Sequence, residues 1–281
     1  MPELPEVETV RLGLNQVTLN QCMIGGEVLL DRTIAYPSST QFLSDIKDRS
    51  ILEWHRYGKY LLAKLAPQGW LGVHLRMTGQ LLWLDQSEPL HKHSRVRFFF
   101  ENERELRFVD QRTFGQIWLI NDDRDPKTIM TGLQRLGHEP FSEDFSTDYL
   151  IQQFKNRRRP VKNALLDQSL VAGVGNIYAD EALFLSGIHP EMLCADLDAR
   201  QIDRLRNNVI RVLKDSIAAR GTTFSDFRDV SGVNGNYGGI AWVYGRDGNE
   251  CRTCQTSIVR VKLAGRSAHF CPGCQPKSSL E

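Results

Sequence analysis

Four cysteines near the end of the chain, Cys251-x₂-Cys254-x₁₆-Cys271-x₂-Cys274, leave that segment few ways to fold. Two knuckles of two thiolates suit tetrahedral zinc, and sites closed by four cysteines are usually structural. The stretch 257–264 between the knuckles alternates like a hairpin strand. A module this small has almost no core, so metal binding would supply its folding energy. Two disulfides are the alternative pairing, although Cys22 and Cys194 stand apart and complete no framework. Arg252, Arg260, Lys262 and Arg266 flank the cysteines. That composition favours a nucleic-acid contact over a purely structural appendage.

The rest of the chain is long enough for two further domains. The spacing of Val7, Val10, Leu14 and Val17 predicts a helix over 3–20. Short alternating segments follow: Gly26–Leu30, Tyr60–Leu65, Leu71–Leu75, Gln80–Leu84, Arg95–Phe100, Glu105–Val109 and Gln116–Leu119. They predict a β-sandwich with the first helix packed on it. Residues 121–140 read as a loop-rich boundary, and helical patterns dominate from about 146 to 220. The expected class is therefore α+β and multidomain, divided as 1–133, 134–244 and 245–281. No run of 18 apolar residues marks a membrane span, and an acidic start differs from a basic, then apolar, export signal. A cytoplasmic protein is expected. The net charge of +1 says little about partners, but Lys155, Arg157, Arg158, Arg159 and Lys162 cluster, and a neutral protein can still carry a basic groove.

The opening Met-Pro-Glu-Leu-Pro-Glu carries the chemistry. If Met1 is clipped, Pro2 becomes a secondary amine at a helix start. The helix dipole disfavours an ammonium there. A terminal amine ordinarily titrates at roughly 7.7–8.0, so a modest push leaves it neutral and nucleophilic toward a sugar C1′. Glu3 and Glu6 lie one helical turn apart and can share proton transfers. The bland alternative is a plain helix start with acids in its first turn.

Gly173-Val174-Gly175-Asn176 before a helix is a plausible phosphate seat, though a simple helix–helix turn looks the same. His74-Leu75-Arg76-Met77-Thr78-Gly79 and Asp110-Gln111-Arg112-Thr113-Phe114-Gly115 each put long side chains on a turn. A Met or Phe beside an Arg could fill a gap in a base stack. Read blindly, Met77 and Phe114 would instead be core residues and Arg112 a surface arginine.

Six stretches taken together resemble the formamidopyrimidine-DNA glycosylase family, whose sister group is endonuclease eight. They are MPELPEVETV (1–10), YGKYLL (57–62), HLRMTGQL (74–81), DQRTFG (110–115), LLDQSLVAGVGNIYADEALF (165–184) and GRSAHFCPGCQ (265–275) with the rest of the four-cysteine finger. The resemblance runs from end to end. It implies an N-terminal helix plus β-sandwich, a helical domain with a helix–two-turn–helix, and a C-terminal β-hairpin zinc finger holding one structural Zn²⁺. It implies a monomer of the bacterial cytoplasm, associated with the nucleoid. The implied activity is excision of 8-oxoguanine and formamidopyrimidines from duplex DNA, then abasic-site cleavage by β,δ-elimination. Pro2, Glu3, Glu6 and Lys59 would be catalytic, with Pro2 forming the Schiff base. Met77, Arg112 and Phe114 would fill the void, and His93, Arg112, Asn176, Lys162 and Arg266 would contact DNA. Residues 228–239 correspond to a lid loop. Many relatives carry a basic residue where Thr113 stands. Three alternatives stay open: an oxidised-pyrimidine glycosylase with the same lyase chemistry, a non-catalytic reader of damaged DNA, and Lys59 as the Schiff-base amine.

Overall fold

Val7, Val10 and Leu14 form the buried face of the first helix, α1 (Leu4–Val17). Its start is a capping box: Glu3 is the N-cap, and its backbone N–H donates to Glu6 Oε2 at 2.8 Å. The helix stops short of position 20. The Thr18 N–H and hydroxyl both turn back on the Leu14 carbonyl, and Asn20 takes φ +59°.

The computed structural model describes residues 1–222 and 229–277. These fall into two units. One comprises Met1–Arg135 with the described part of Ala219–Asn236. The other comprises Leu136–Ala218 with the described part of Tyr237–Glu281.

In the first unit α1 is followed by β1 (Cys22–Val28), β2 (Ile34–Tyr36), α2 (Ser39–Ile46), β3 (Arg49–Tyr57) and β4 (Tyr60–Ala66). Then come β5 (Trp70–His74), β6 (Gly79–Asp85), β7 (Ser94–Phe100), β8 (Arg104–Asp110), β9 (Gln116–Ile120) and the short α3 (Thr131–Gln134). The strands hydrogen-bond in the order β2-β9-β5-β4-β3-β1-β7-β8-β6. β1 is the joint between two halves. It pairs with β3 only through Cys22 and Met23, then slips by a bulge onto β7. Both halves feed one core, with Trp54, Leu61 and Val73 from one side and Phe98, Leu106 and Phe108 from the other. This is the expected sandwich.

The sequence pattern missed β2, α2 and β3. In β3 a register shift between Ile51 and Glu53 breaks the alternation, so the buried Ile51 and Trp54 stand three apart. β1 starts four residues earlier than expected and ends at Val28, where Leu29 and Leu30 leave the ladder and donate to the Arg95 carbonyl.

The second unit holds α4 (Thr147–Phe154), α5 (Val161–Leu165), α6 (Asn176–Ser186), α7 (Ala199–Ala218) and the hairpin β10 (Val259–Leu263) with β11 (Arg266–Phe270). α6 is buried along nearly its whole length, packs on α7 through a 2.6 Å Tyr178–Ser216 hydroxyl contact, and ends at Gly187 in the left-handed conformation. Among the described residues no helix is long and apolar enough to cross a membrane.

Candidate active site and nucleic-acid interface

In the first unit Pro2, Glu3 and Glu6 are buried at the head of α1, while Met1 is largely exposed. Glu6 is committed on both oxygens. Oε2 accepts the Glu3 N–H, and Oε1 accepts the Thr222 N–H at 2.7 Å. It therefore fastens the 219–236 segment to the first turn of α1. Val230 strengthens that fastening from the sandwich core, where its carbonyl accepts the Trp83 N–H at 2.9 Å. Of the lid segment 228–239, Arg228 lies outside the described residues. Asp229 binds the Ser231 and Val233 N–H groups through Oδ1, each at 2.9 Å.

Lys59 sits buried in the two-residue turn between β3 and β4, where Gly58 takes φ +57°. Arg56 ties this hairpin to α1, its Nε 2.9 Å from Glu8 Oε2. Burial alone would raise the Glu8 pKa, but Arg11 and Arg56 outweigh it and hold the carboxyl below its usual range. His74, at the end of β5, is a buried partner that sequence reasoning passed over. Its Nδ1 accepts the Arg76 N–H at 3.0 Å, which assigns the ring proton to Nε2, and its ring meets Tyr60 edge-on. Burial first, then the charges of Arg76 and Lys59, push its pKa down to about 3. It is a neutral imidazole beside the buried lysine.

The two turns expected to fill a base stack are locked to each other by Asp110. Its Oδ1 accepts the Thr78 hydroxyl and its Oδ2 accepts the Gly115 N–H at 2.7 Å. Thr78 Oγ1 in turn accepts the Arg112 N–H at 2.9 Å. Phe114 is not a core residue: it is 52% exposed, with the Arg112 guanidinium 5.0 Å from its ring centroid. Met77 is half-buried and lies outside the core, and Arg112 is exposed. At Thr113 the hydroxyl accepts from Arg32, so a cation reaches this turn from the 31–33 segment. His93 lines a cavity of about 390 Å³ with Thr78, Gln80, His91 and Gln111 beside these turns.

In the second unit Gln168 shapes the glycine turn. Its Oε1 accepts the Gly173 N–H at 3.0 Å, and its Nε2 donates to the Val174 carbonyl at 2.7 Å. Gly173 takes φ +88°, which only glycine adopts without strain. α6 then begins at Asn176, behind Gly175 as an N-cap with no side-chain hydrogen bond. Arg266 is exposed at the start of β11, and Asn176 Nδ2 donates to Ser267 Oγ at 3.3 Å.

Lys162 requires a correction. Its side chain is 0% exposed, with Nζ 2.5 Å from Asp180 Oδ1 and donating to the Ser267 carbonyl. It braces the hairpin and is shut away from solvent. Other basic residues of the cluster and of the finger also make internal contacts. Arg157 donates to Gln153, Arg159 pairs with Asp167, and Arg252 donates to the carbonyls of Gly239 and Ile240. Lys155, Arg158, Arg260 and Lys262 remain exposed.

The four finger sulfurs all lie within 4.8 Å of one another, with Cys254–Cys271 at 3.3 Å and Cys251–Cys274 at 3.8 Å. A tetrahedron with Zn–S bonds of about 2.3 Å has edges of roughly 3.8 Å. The donor set fits one structural zinc ion and leaves no open coordination position. The disulfide alternative fails, since all six cysteines are free.

Three family models match along the chain. Residues 1–117 match the formamidopyrimidine-DNA glycosylase N-terminal domain, 136–228 its H2TH domain, and 248–277 a zinc finger found in FPG and IleRS. A formamidopyrimidine-DNA glycosylase of Acaryochloris marina is 63% identical over 99% of this chain and all of its own length. Among solved structures, Lactococcus lactis Fpg with abasic-site DNA superposes at a TM-score of 0.91 with 33% identity, covering 98% of this chain and all of that one. The same enzyme with Fapy-dG DNA gives 0.89 at 33% identity and equal coverage.

Proposed function

The chain belongs to the formamidopyrimidine-DNA glycosylase family, and from that premise we propose that it is a base-excision repair enzyme for oxidised purines. It removes 8-oxoguanine and formamidopyrimidines from duplex DNA and cleaves the abasic site. The observation that carries this reading is the buried head of α1, where Pro2, Glu3 and Glu6 lie on a strand-linked scaffold that also buries Lys59.

Removal of Met1 exposes the Pro2 nitrogen as a secondary amine. Its lone pair attacks the sugar C1′, and the glycosidic bond breaks as the base leaves with a proton. Loss of the amine proton and ring opening give an iminium between Pro2 and C1′. That iminium accepts the electrons released when the C2′ proton departs. β-Elimination then expels the 3′ phosphate and δ-elimination the 5′ phosphate. Glu3 exchanges protons with the sugar. Glu6, with both oxygens engaged, holds the hydrogen-bond network. Lys59 contacts the phosphate and sugar. Met77, Arg112 and Phe114 occupy the space left by the flipped nucleotide, and His93, Asn176 and Arg266 hold phosphates. Residues 228–239 cover the flipped base.

The labour divides as catalysis in 1–133, helix–two-turn–helix and lid in 134–244, and zinc finger in 245–281. Cys251, Cys254, Cys271 and Cys274 would hold the zinc, which supplies only structure. A nucleoid-associated cytoplasmic monomer fits this role.

Borohydride trapping on 8-oxoguanine·cytosine duplex tests the proposal. The wild-type chain forms a covalent adduct whose DNA-linked peptide begins at Pro2, and Pro2→Gly reduces trapping at least a hundredfold. An adduct mapped to Lys59, or no adduct at all, overturns the mechanism. Cleavage of thymine glycol far faster than 8-oxoguanine overturns the substrate.

A further inference from the structure

Asn176 and Asp180 stand four residues apart on α6, so they share one face of the helix. Both meet β11. Asn176 Nδ2 donates to Ser267 Oγ at 3.3 Å, one residue from Arg266. Asp180 Oδ2 accepts the His269 backbone N–H at 2.9 Å and lies 3.1 Å from the same residue's ring Nδ1. Its other oxygen holds Lys162, whose ammonium also donates to the Ser267 carbonyl. Lys162, Asp180 and His269 are all buried. The adjacent Glu181 accepts the N–H groups of Trp242, Val243 and Tyr244 at 2.7–2.9 Å, fixing the chain that enters the finger.

A carboxylate this deep is retained only with partners that neutralise and satisfy it. Asp180 has a cation on one oxygen and two donors from the hairpin on the other. All of these partners bear on the strand that carries Arg266. Glu181 anchors the finger's entry, and Asp180 is the buried carboxylate that fastens β11 itself.

We propose that Asp180, clasped by Lys162 and His269, is a positioning residue that sets the distance between Asn176 and Arg266. The helix face would then act as a fixed gauge for two phosphate contacts. The inference rests on the assignment of those two residues to DNA. In its absence β11 still forms its hairpin and the cysteines still bind zinc, but Arg266 loses its fixed place relative to α6.

The test uses full-length, zinc-loaded protein and an abasic-site duplex, with Asp180→Asn and the charge-balanced pair Asp180→Asn with Lys162→Met. Zinc content, duplex Kd, its salt dependence and the trapping rate at saturating DNA are measured. The charge-balanced pair keeps one zinc per chain, loses about tenfold in affinity, and shows a log K against log salt slope shallower by about 0.9, one phosphate contact. Its saturated trapping rate falls less than threefold. Adding Arg266→Ala to either background costs under twofold more, whereas Arg266→Ala alone costs the full factor. Wild-type affinity and salt slope in the zinc-loaded pair overturn the proposal. So does full additivity with Arg266→Ala, or an affinity loss that only tracks zinc loss. Failure of the wild-type chain to trap DNA strikes the enzymatic reading instead.

Discussion

His74 shows how a single side chain carries the electrostatics of the site. Its folded pKa is about 3, against roughly 6.5 in an unfolded chain. Between those values the unfolded chain binds a proton that the folded chain refuses. Stability therefore rises with pH across this window and is lost as pH falls below about 6.5, by up to about 1.4 kcal/mol per pH unit. Urea unfolding of wild type and His74→Gln from pH 7 to 4.5 checks this. The variant loses stability less steeply, and parallel curves would mean that His74 titrates normally. Sequence alone could not supply this residue, although it opens one of the matching motifs, because its burial depends on Tyr60 from a neighbouring strand. Lys162 fails for the same reason in reverse. The resemblance implied a DNA contact for it, and only the fold reveals the buried Asp180 beside it.

At the scale of elements, motifs marked the candidate turns but not what holds them. The stretches 74–81 and 110–115 were legible as turns at strand ends, whereas their union through Asp110 and Thr78 spans more than thirty residues of sequence. Gly115 is where that union is tightest. A Cβ there would stand 2.4 Å from Phe108 Cζ, in the core, and 3.0 Å from Asp110 Oδ2. Gly115→Ala must move the turn that carries Arg112 and Phe114. We expect a loss of about 1–3 kcal/mol from overpacking and a clear drop in the affinity ratio of lesion over undamaged duplex. Unfolding titrations and paired duplex Kd values measure both. A variant that discriminates as well as wild type would show that the two side chains are not held by this tie. The elements that escaped prediction were those whose periodicity is broken, as the bulge in β3 breaks it, or that are too short to show one, as in β2.

For the whole molecule, sequence periodicity delivered the order of architectures: helix, strands, helices, finger. It could not assign 219–236, which follows α7 in the chain yet belongs to the unit containing α1, because the tether is the Glu6–Thr222 bond and the buried Val230. The two units also differ in what keeps them folded. The sandwich has a large apolar core that contains none of the zinc ligands. The finger's buried cluster is Phe184, Val243, Cys251, Ile258 and Cys271, so two of its five members are ligands. Removing the metal takes away the cross-link that gathers the four thiolates into one cluster. Structural zinc in such modules is worth about 10–16 kcal/mol near neutral pH, far more than that cluster can replace. Chelation should therefore melt the finger while the sandwich unfolds at its original temperature. DNA affinity should collapse with the finger, because Arg266 rides on it. Calorimetry of the chelated protein, with duplex binding followed in parallel, separates the two events. Undiminished DNA affinity after verified zinc loss would remove the finger from the binding surface.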